Sequence, residues 1–112
     1  MSLTIYHNPR CGKSRDTLAL LVQRGLKPKV IEYLDTPPTA GELTSILRAL
    51  GLSAAQLARK KEAAEAGIDL ALPEAKLVAA MVKHPIVIER PIVLNGKKAA
   101  LGRPPENVLK IL

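Results

Sequence analysis

One cysteine is present, and it stands in the run His7-Asn8-Pro9-Arg10-Cys11-Gly12-Lys13-Ser14-Arg15. A Pro-bounded loop precedes it and a helical pattern follows, which puts the thiol at the mouth of a helix. Free N–H groups there carry roughly half a positive charge and favour a thiolate over a thiol. Arg10, Lys13 and Arg15 add cations beside it, and the Ser14 hydroxyl is placed by sequence to donate a hydrogen bond to the sulfur. All these effects lower the thiol pKa and raise the fraction present as nucleophile. The bland reading of a lone cysteine is a buried, inert side chain. Such a residue gains nothing from three flanking cations and a helix start.

Two competing motifs are excluded by single residues. Gly12-Lys13-Ser14 looks like the end of a nucleotide-binding P-loop, but that pattern needs a glycine where this chain has His7. A Cys-x-x-Cys redox pair fails because Ser14 occupies the second position, so no resolving thiol is supplied from within. One cysteine also permits no internal disulfide, and no structural zinc or other metal site is expected. The simplest setting is reducing and cytoplasmic.

The elements that must carry this loop can be read along the chain. Leu3 to Tyr6 is short, alternating and β-branched, and Asn8-Pro9 ends it, as a strand entering a loop does. Leu18, Leu21 and Val22 recur at helical spacing behind the cysteine, and Gly25 offers a left-handed stop. Val30, Ile31 and Tyr33 form a second strand, giving a βαβ unit with parallel strands. Thr39-x-x-Glu42 and Ser53-x-x-Gln56 are capping boxes. The first opens a helix with Leu43, Ile46, Leu47 and Leu50 on one face and Gly51 closing it. The second opens a short helix carrying Leu57 and Arg59. Lys60 to Gly67 has no stripe and is left unassigned. Pro73 starts another helix bearing Leu77, Ala80 and Met81, which Pro85 stops. Ile92-Val93-Leu94, Asn95-Gly96 and Lys97 to Leu101 read as a hairpin with a type I′ turn. A last helix opens at Arg103-Pro104-Pro105-Glu106 and turns Val108, Leu109 and Leu112 inward.

This order gives an α/β chain with a mixed four-stranded sheet, the thioredoxin-like plan with a helical insertion between strands two and three. Residues 1–112 read as one domain, a size that buries a core without staples. Arg90-Pro91 sits just before strand three, where that plan carries a cis proline, so a cis bond is expected; X-Pro peptides allow it at about 0.5–1 kcal/mol. Two Tyr and no Phe or Trp require an aliphatic core and leave no platform for stacking bases. Seventeen Lys and Arg against ten Asp and Glu leave a charge of +7, which favours an anionic partner. No apolar run reaches the length of a membrane span, and His7 to Arg10 breaks any signal-peptide core.

Tyr6-His7-Asn8-Pro9-x-Cys11-Gly12-x-Ser14-Arg15, then Leu57-x-Arg59-Lys60, His84-Pro85-Ile86, Arg90-Pro91-Ile92-Val93 and Arg103-Pro104, resembles the glutaredoxin-linked arsenate reductases over nearly the whole chain. The resemblance implies that Cys11 attacks arsenate, that Arg59, Arg90 and Arg103 hold the oxyanion, and that His7, Ser14 and Arg15 tune the cysteine. Physical chemistry agrees, because a tetrahedral, multiply charged oxyanion suits several planar guanidinium forks and a helix N-terminus. Reduction takes two electrons and Cys11 brings one sulfur, so the second thiol comes from outside. Glutathione as reductant, with glutaredoxin resolving the mixed disulfide, is implied. Phosphate would bind similarly yet cannot be reduced by thiols. No tightly bound cofactor, nucleic acid or membrane partner is implied, and a monomer is expected.

Arg10 and Lys13 make the loop more basic than is typical, and the sequence stops at Leu112 without a C-terminal extension. These departures leave room for a thiol oxidoreductase with another substrate. A second class is a regulator of the Spx type, which shares the fold and docks onto RNA polymerase but typically keeps the Cys-x-x-Cys switch missing here. A third is DNA binding by the helix, Gly51 turn and helix from Leu43 to Lys61, with Arg59, Lys60 and Lys61 tracking phosphates. His84, at a helix end, reads as structural.

Overall fold

The computed structural model describes residues 3–112. The described residues divide into two compact units, one made of residues 3–36 with 90–112 and the other of 37–89. In the first, β1 (Leu3–His7) leads into α1 (Gly12–Gln23) and β2 (Lys29–Glu32), followed after the second unit by β3 (Ile92–Asn95), β4 (Lys98–Leu101) and a 3₁₀ helix (Pro105–Ile111). The sheet order is β2-β1-β3-β4, with β1 and β2 parallel and the other pairs antiparallel. This is the mixed thioredoxin-like sheet expected from the order of elements. Its core is aliphatic: Ile5, Leu21, Val93, Ala100, Val108 and Ile111 are buried, with Leu18, Leu20 and Leu26 packed against them.

Three local expectations are corrected here. Val22 is 58% exposed, because α1 buries Ser14, Thr17 and Leu21, a narrow stripe that excludes its neighbour. The final helix has a 3₁₀ period, which buries Val108 and Ile111 three residues apart and rotates Leu112 out to 41% exposure. The hairpin turns on Gly96 and Lys97, since Asn95 still pairs with Lys98. Gly96 has φ +61° and no non-glycine described residue has positive φ, so the turn has the type II′ pattern and not I′.

Gly102 sets how closely β4 approaches α1. A side chain there would overlap Thr17 Oγ1 and stand 2.7 Å from Pro91 Cγ. With none, the Gly102 N–H donates to Pro91 O at 3.0 Å, and the buried Thr17 hydroxyl, bonded to Lys13 O at 2.8 Å, lies 3.4 Å from Gly102 O. The residues flanking this contact are Arg90 and Arg103. The Arg90–Pro91 peptide is cis, as expected, and so is Arg103–Pro104, which was not foreseen.

The second unit holds α2 (Ala40–Leu50), α3 (Ala54–Leu57), α4 (Lys60–Glu65), α5 (Glu74–Lys83) and a 3₁₀ turn (Pro85–Val87). Both capping boxes form as spelled, Thr39 with Glu42 and Ser53 with Gln56. α5 packs on α2 and α3, burying Leu43, Leu57, Leu77 and Met81. The unassigned segment after Arg59 is α4, a short helix with only Ala63 buried, which explains its missing stripe. Arg59 lies outside α3, at the N-cap of α4, so the short helix ends two residues earlier than expected. That helix is a single turn, too short to cross a DNA groove as a reading helix. No helix of the described residues is long and apolar enough to cross a membrane.

Candidate active site

The loop from His7 to Ser14 is closed by its own backbone. Pro9 and Arg10 form a turn in which Cys11 N–H donates to Asn8 O at 3.0 Å, and Asn8 Oδ1 accepts the Arg10 N–H at 3.0 Å. Cys11 then becomes the N-cap of α1, its carbonyl accepting from Arg15 N–H at 3.0 Å. The sulfur is partly exposed and makes no regular capping bond. Partial burial pushes its pKa up. The backbone N–H groups of Ser14 and Lys13, followed by the charges of Arg103 and Arg90, outweigh that and hold the thiol below its ordinary range.

Arg103 reaches the sulfur directly. Its Nη2 donates toward Cys11 Sγ at 3.7 Å while its Nε donates to Arg90 O at 2.8 Å. One guanidinium thus spans the thiol and the backbone of the second arginine. Arg90 is only 7% exposed and its positive charge also favours the thiolate.

Ser14 serves the cysteine through its backbone, and its buried hydroxyl faces elsewhere. Ser14 Oγ lies 2.6 Å from His7 Nδ1 and accepts the Asn8 N–H at 3.0 Å. Since that hydroxyl already accepts from Asn8, its own proton is available to Nδ1. Burial, with a smaller contribution from Arg15, lowers the His7 pKa against the opposing pull of Glu32, which pairs with it in the β1–β2 register. A neutral imidazole accepting from Ser14 is the consistent arrangement. Arg15 is exposed and donates through Nη1 to Pro9 O at 2.9 Å, bracing the loop.

Arg59 belongs to the second unit. A one-rung bridge between Ala58 and Ile88, with Arg59 N–H to Val87 O at 2.7 Å and Glu89 N–H to Leu57 O at 2.9 Å, sets its backbone. Its guanidinium bonds Glu62 through Nε and Glu89 Oε1 through Nη1 at 2.8 Å. Burial opposes its charge, but these two carboxylates raise its pKa further above an already high value. Among the described residues no group of three or more His, Cys, Asp and Glu is arranged to hold a metal.

Residues 6–111 match the ArsC family. This chain belongs to the ArsC family. Over 116 aligned positions covering all of both proteins, it is 47% identical to the arsenate reductase of Haemophilus influenzae. It is 50% identical to the uncharacterized protein YfgD of Escherichia coli, over 96% of this chain and 94% of that one. The structure of the arsenate reductase from Vibrio cholerae superposes with a TM-score of 0.91 at 49% identity, covering 100% of this chain and 98% of the other.

Within this ArsC-family chain, two site residues escaped the sequence reading. Asn8 is buried and makes three hydrogen bonds that shape the cysteine loop, a role its Asn-Pro pairing could have signalled. Gly102 precedes Arg103 and permits the approach that brings that arginine to the sulfur; only its position before Arg103-Pro104 hinted at this.

Proposed function

We propose that this ArsC-family chain reduces arsenate to arsenite through a covalent adduct on Cys11. The observation that carries the reading is a thiol held below its ordinary pKa with the Arg103 Nη2 at 3.7 Å from its sulfur. The Cys11 thiolate attacks arsenic(V), a sulfur–arsenic bond forms, and one oxygen leaves as water after taking up protons. Arg90 and Arg103 hold the remaining oxygens and neutralise charge in the transition state. An external thiolate then attacks Cys11 Sγ. The sulfur–arsenic bond breaks with its electron pair passing to arsenic, which leaves as arsenic(III), and a mixed disulfide remains. A second thiol releases the partner and restores Cys11. The sum is arsenate and two thiols giving arsenite, one disulfide and water.

The external thiol in this reading is glutathione, with glutaredoxin resolving the mixed disulfide, and the protein works as a cytoplasmic monomer and a single functional domain. The family resemblance gives Arg59 the same oxyanion role as Arg90 and Arg103. Since Glu62 and Glu89 already bind its guanidinium, Arg59→Ala should raise KM for arsenate more than it lowers kcat.

The test is NADPH consumption in an assay coupled through glutathione, glutaredoxin and glutathione reductase. Arsenate should support turnover and phosphate should not. Cys11→Ser should abolish it. Unchanged activity in that variant, or equal consumption with phosphate, would overturn the reading.

A further inference from the structure

A cavity of about 310 Å³ opens within the first unit beside the cysteine loop, lined by His7, Pro9, Arg10, Glu32, Leu34 and Asp35. Its charges are of both signs. Among the described residues, the side chains of Arg10, Glu32 and Asp35 make no hydrogen bond or ion pair, so these opposite charges are not spent on each other. The arrangement suits neither a simple anion, which would face two carboxylates, nor a simple cation, which would face Arg10. It suits a small group bearing an ammonium and a carboxylate together. His7 is more than nine-tenths buried and lines the same cavity. With Nδ1 held by Ser14, the nitrogen it can present there is Nε2. The Arg10 end of the cavity is joined to Cys11 through the turn closed by Asn8 O.

We infer that this cavity is the subsite for the zwitterionic amino-acid end of the thiol co-substrate, with Arg10 taking its carboxylate and Asp35 and Glu32 its ammonium. The inference rests on the external-thiol reading above and deepens it. Glutathione carries such a group at its γ-glutamyl end, away from the sulfur. Seated here, that end would tether the tripeptide next to the cysteine its thiol must reach. The gain is one of proximity: the co-substrate is held at the loop before the sulfur–arsenic bond is attacked.

The experiment is a titration of the full-length protein with S-methylglutathione, which cannot react, followed by amide chemical shifts. Saturable shifts at Asn8, Arg10 and Asp35 are expected, and Asp35→Asn and Arg10→Gln should each weaken binding about tenfold, the scale of one charged hydrogen bond. The N-acetylated form of the same probe, lacking the ammonium, should lose a similar factor. In the coupled assay Asp35→Asn should raise KM for glutathione by the same factor while KM for arsenate stays within about twofold. Absence of shifts at these amides, shifts confined to the Pro91 side of the loop, or equal affinity for the N-acetylated probe would overturn the assignment. A protein that binds the probe as described but does not consume arsenate would sink the proposed reaction and leave this site standing.

Discussion

The Cys11 sulfur is favoured as an anion by peptide N–H groups at Ser14 and Lys13 first and by Arg103 and Arg90 second. Arg103→Ala should therefore raise the thiol pKa without restoring it fully, because the backbone donors stay. The pH profile of iodoacetamide alkylation should shift toward higher pH, and kcat/KM for arsenate should fall about a hundredfold, as for loss of one oxyanion donor. A profile identical to the wild type would show that the guanidinium does not act on the sulfur. His7 makes a second prediction, with its sign set by a folded pKa held below the ordinary histidine value of about 6.5. Below that pH the unfolded chain takes up a proton more readily than the folded one. The stability His7 contributes is thus complete above about pH 6.5 and is lost as pH falls through the folded value. Denaturant midpoints at successive pH values should show this loss, and His7→Gln should flatten it. Cys11 and the arginines proposed to hold the oxyanion stood out as residue types in order along the chain. Which atom of Ser14 serves the sulfur was not, because the same side chain also lies within reach of a histidine seven positions earlier in sequence.

Elements that announce themselves through short-range chemistry were legible in the sequence; those defined by a period or by a distant contact were less so. Thr39 and Glu42 bond each other's backbone at 3.1 and 2.9 Å, as their spacing required. Thr39→Ala should lower the stability of the folded protein by about 1 kcal/mol, measured as a shift in the urea midpoint with no change in slope. By contrast the last helix misled because Val108, Leu109 and Leu112 fit an α period, while the chain took the tighter 3₁₀ winding and buried Ile111 instead. The Asn-Gly pair gave the hairpin correctly but placed its turn one residue early. Gly96 alone needs positive φ, at +61°, so Gly96→Ala should destabilise the hairpin by about 1 kcal/mol, whereas Asn95→Ala should be felt less at the turn. Asn95→Ala would still lose the bond from Nδ2 to Ile111 O, so its cost should appear at the C-terminal helix.

At the scale of the molecule, the chain that carries the site proposed for an oxyanion has a formal net charge of +7. Attraction of that kind is screened over about 10 Å at 0.1 M salt and about 3 Å at 1 M. Raising NaCl across that range should increase KM for arsenate several-fold and change kcat little; a KM indifferent to salt would show that the excess charge plays no part in capture. Composition foresaw this charge and the aliphatic core, and element order foresaw the mixed sheet. The partition into two compact units was read from neither, although Pro37-Pro38 and Arg90-Pro91 stand at its boundaries, because the same prolines also serve as ordinary stops between elements of one domain. One feature of the loop has a consequence for how such a protein can change over generations. Two of the groups that make the sulfur reactive are peptide bonds, which no codon change deletes while the chain keeps its path. The side chains at positions 10 and 13 can consequently vary while those backbone donors keep holding the thiol below its ordinary pKa, and in the proposed reaction a change in the preferred external thiol would arise there first.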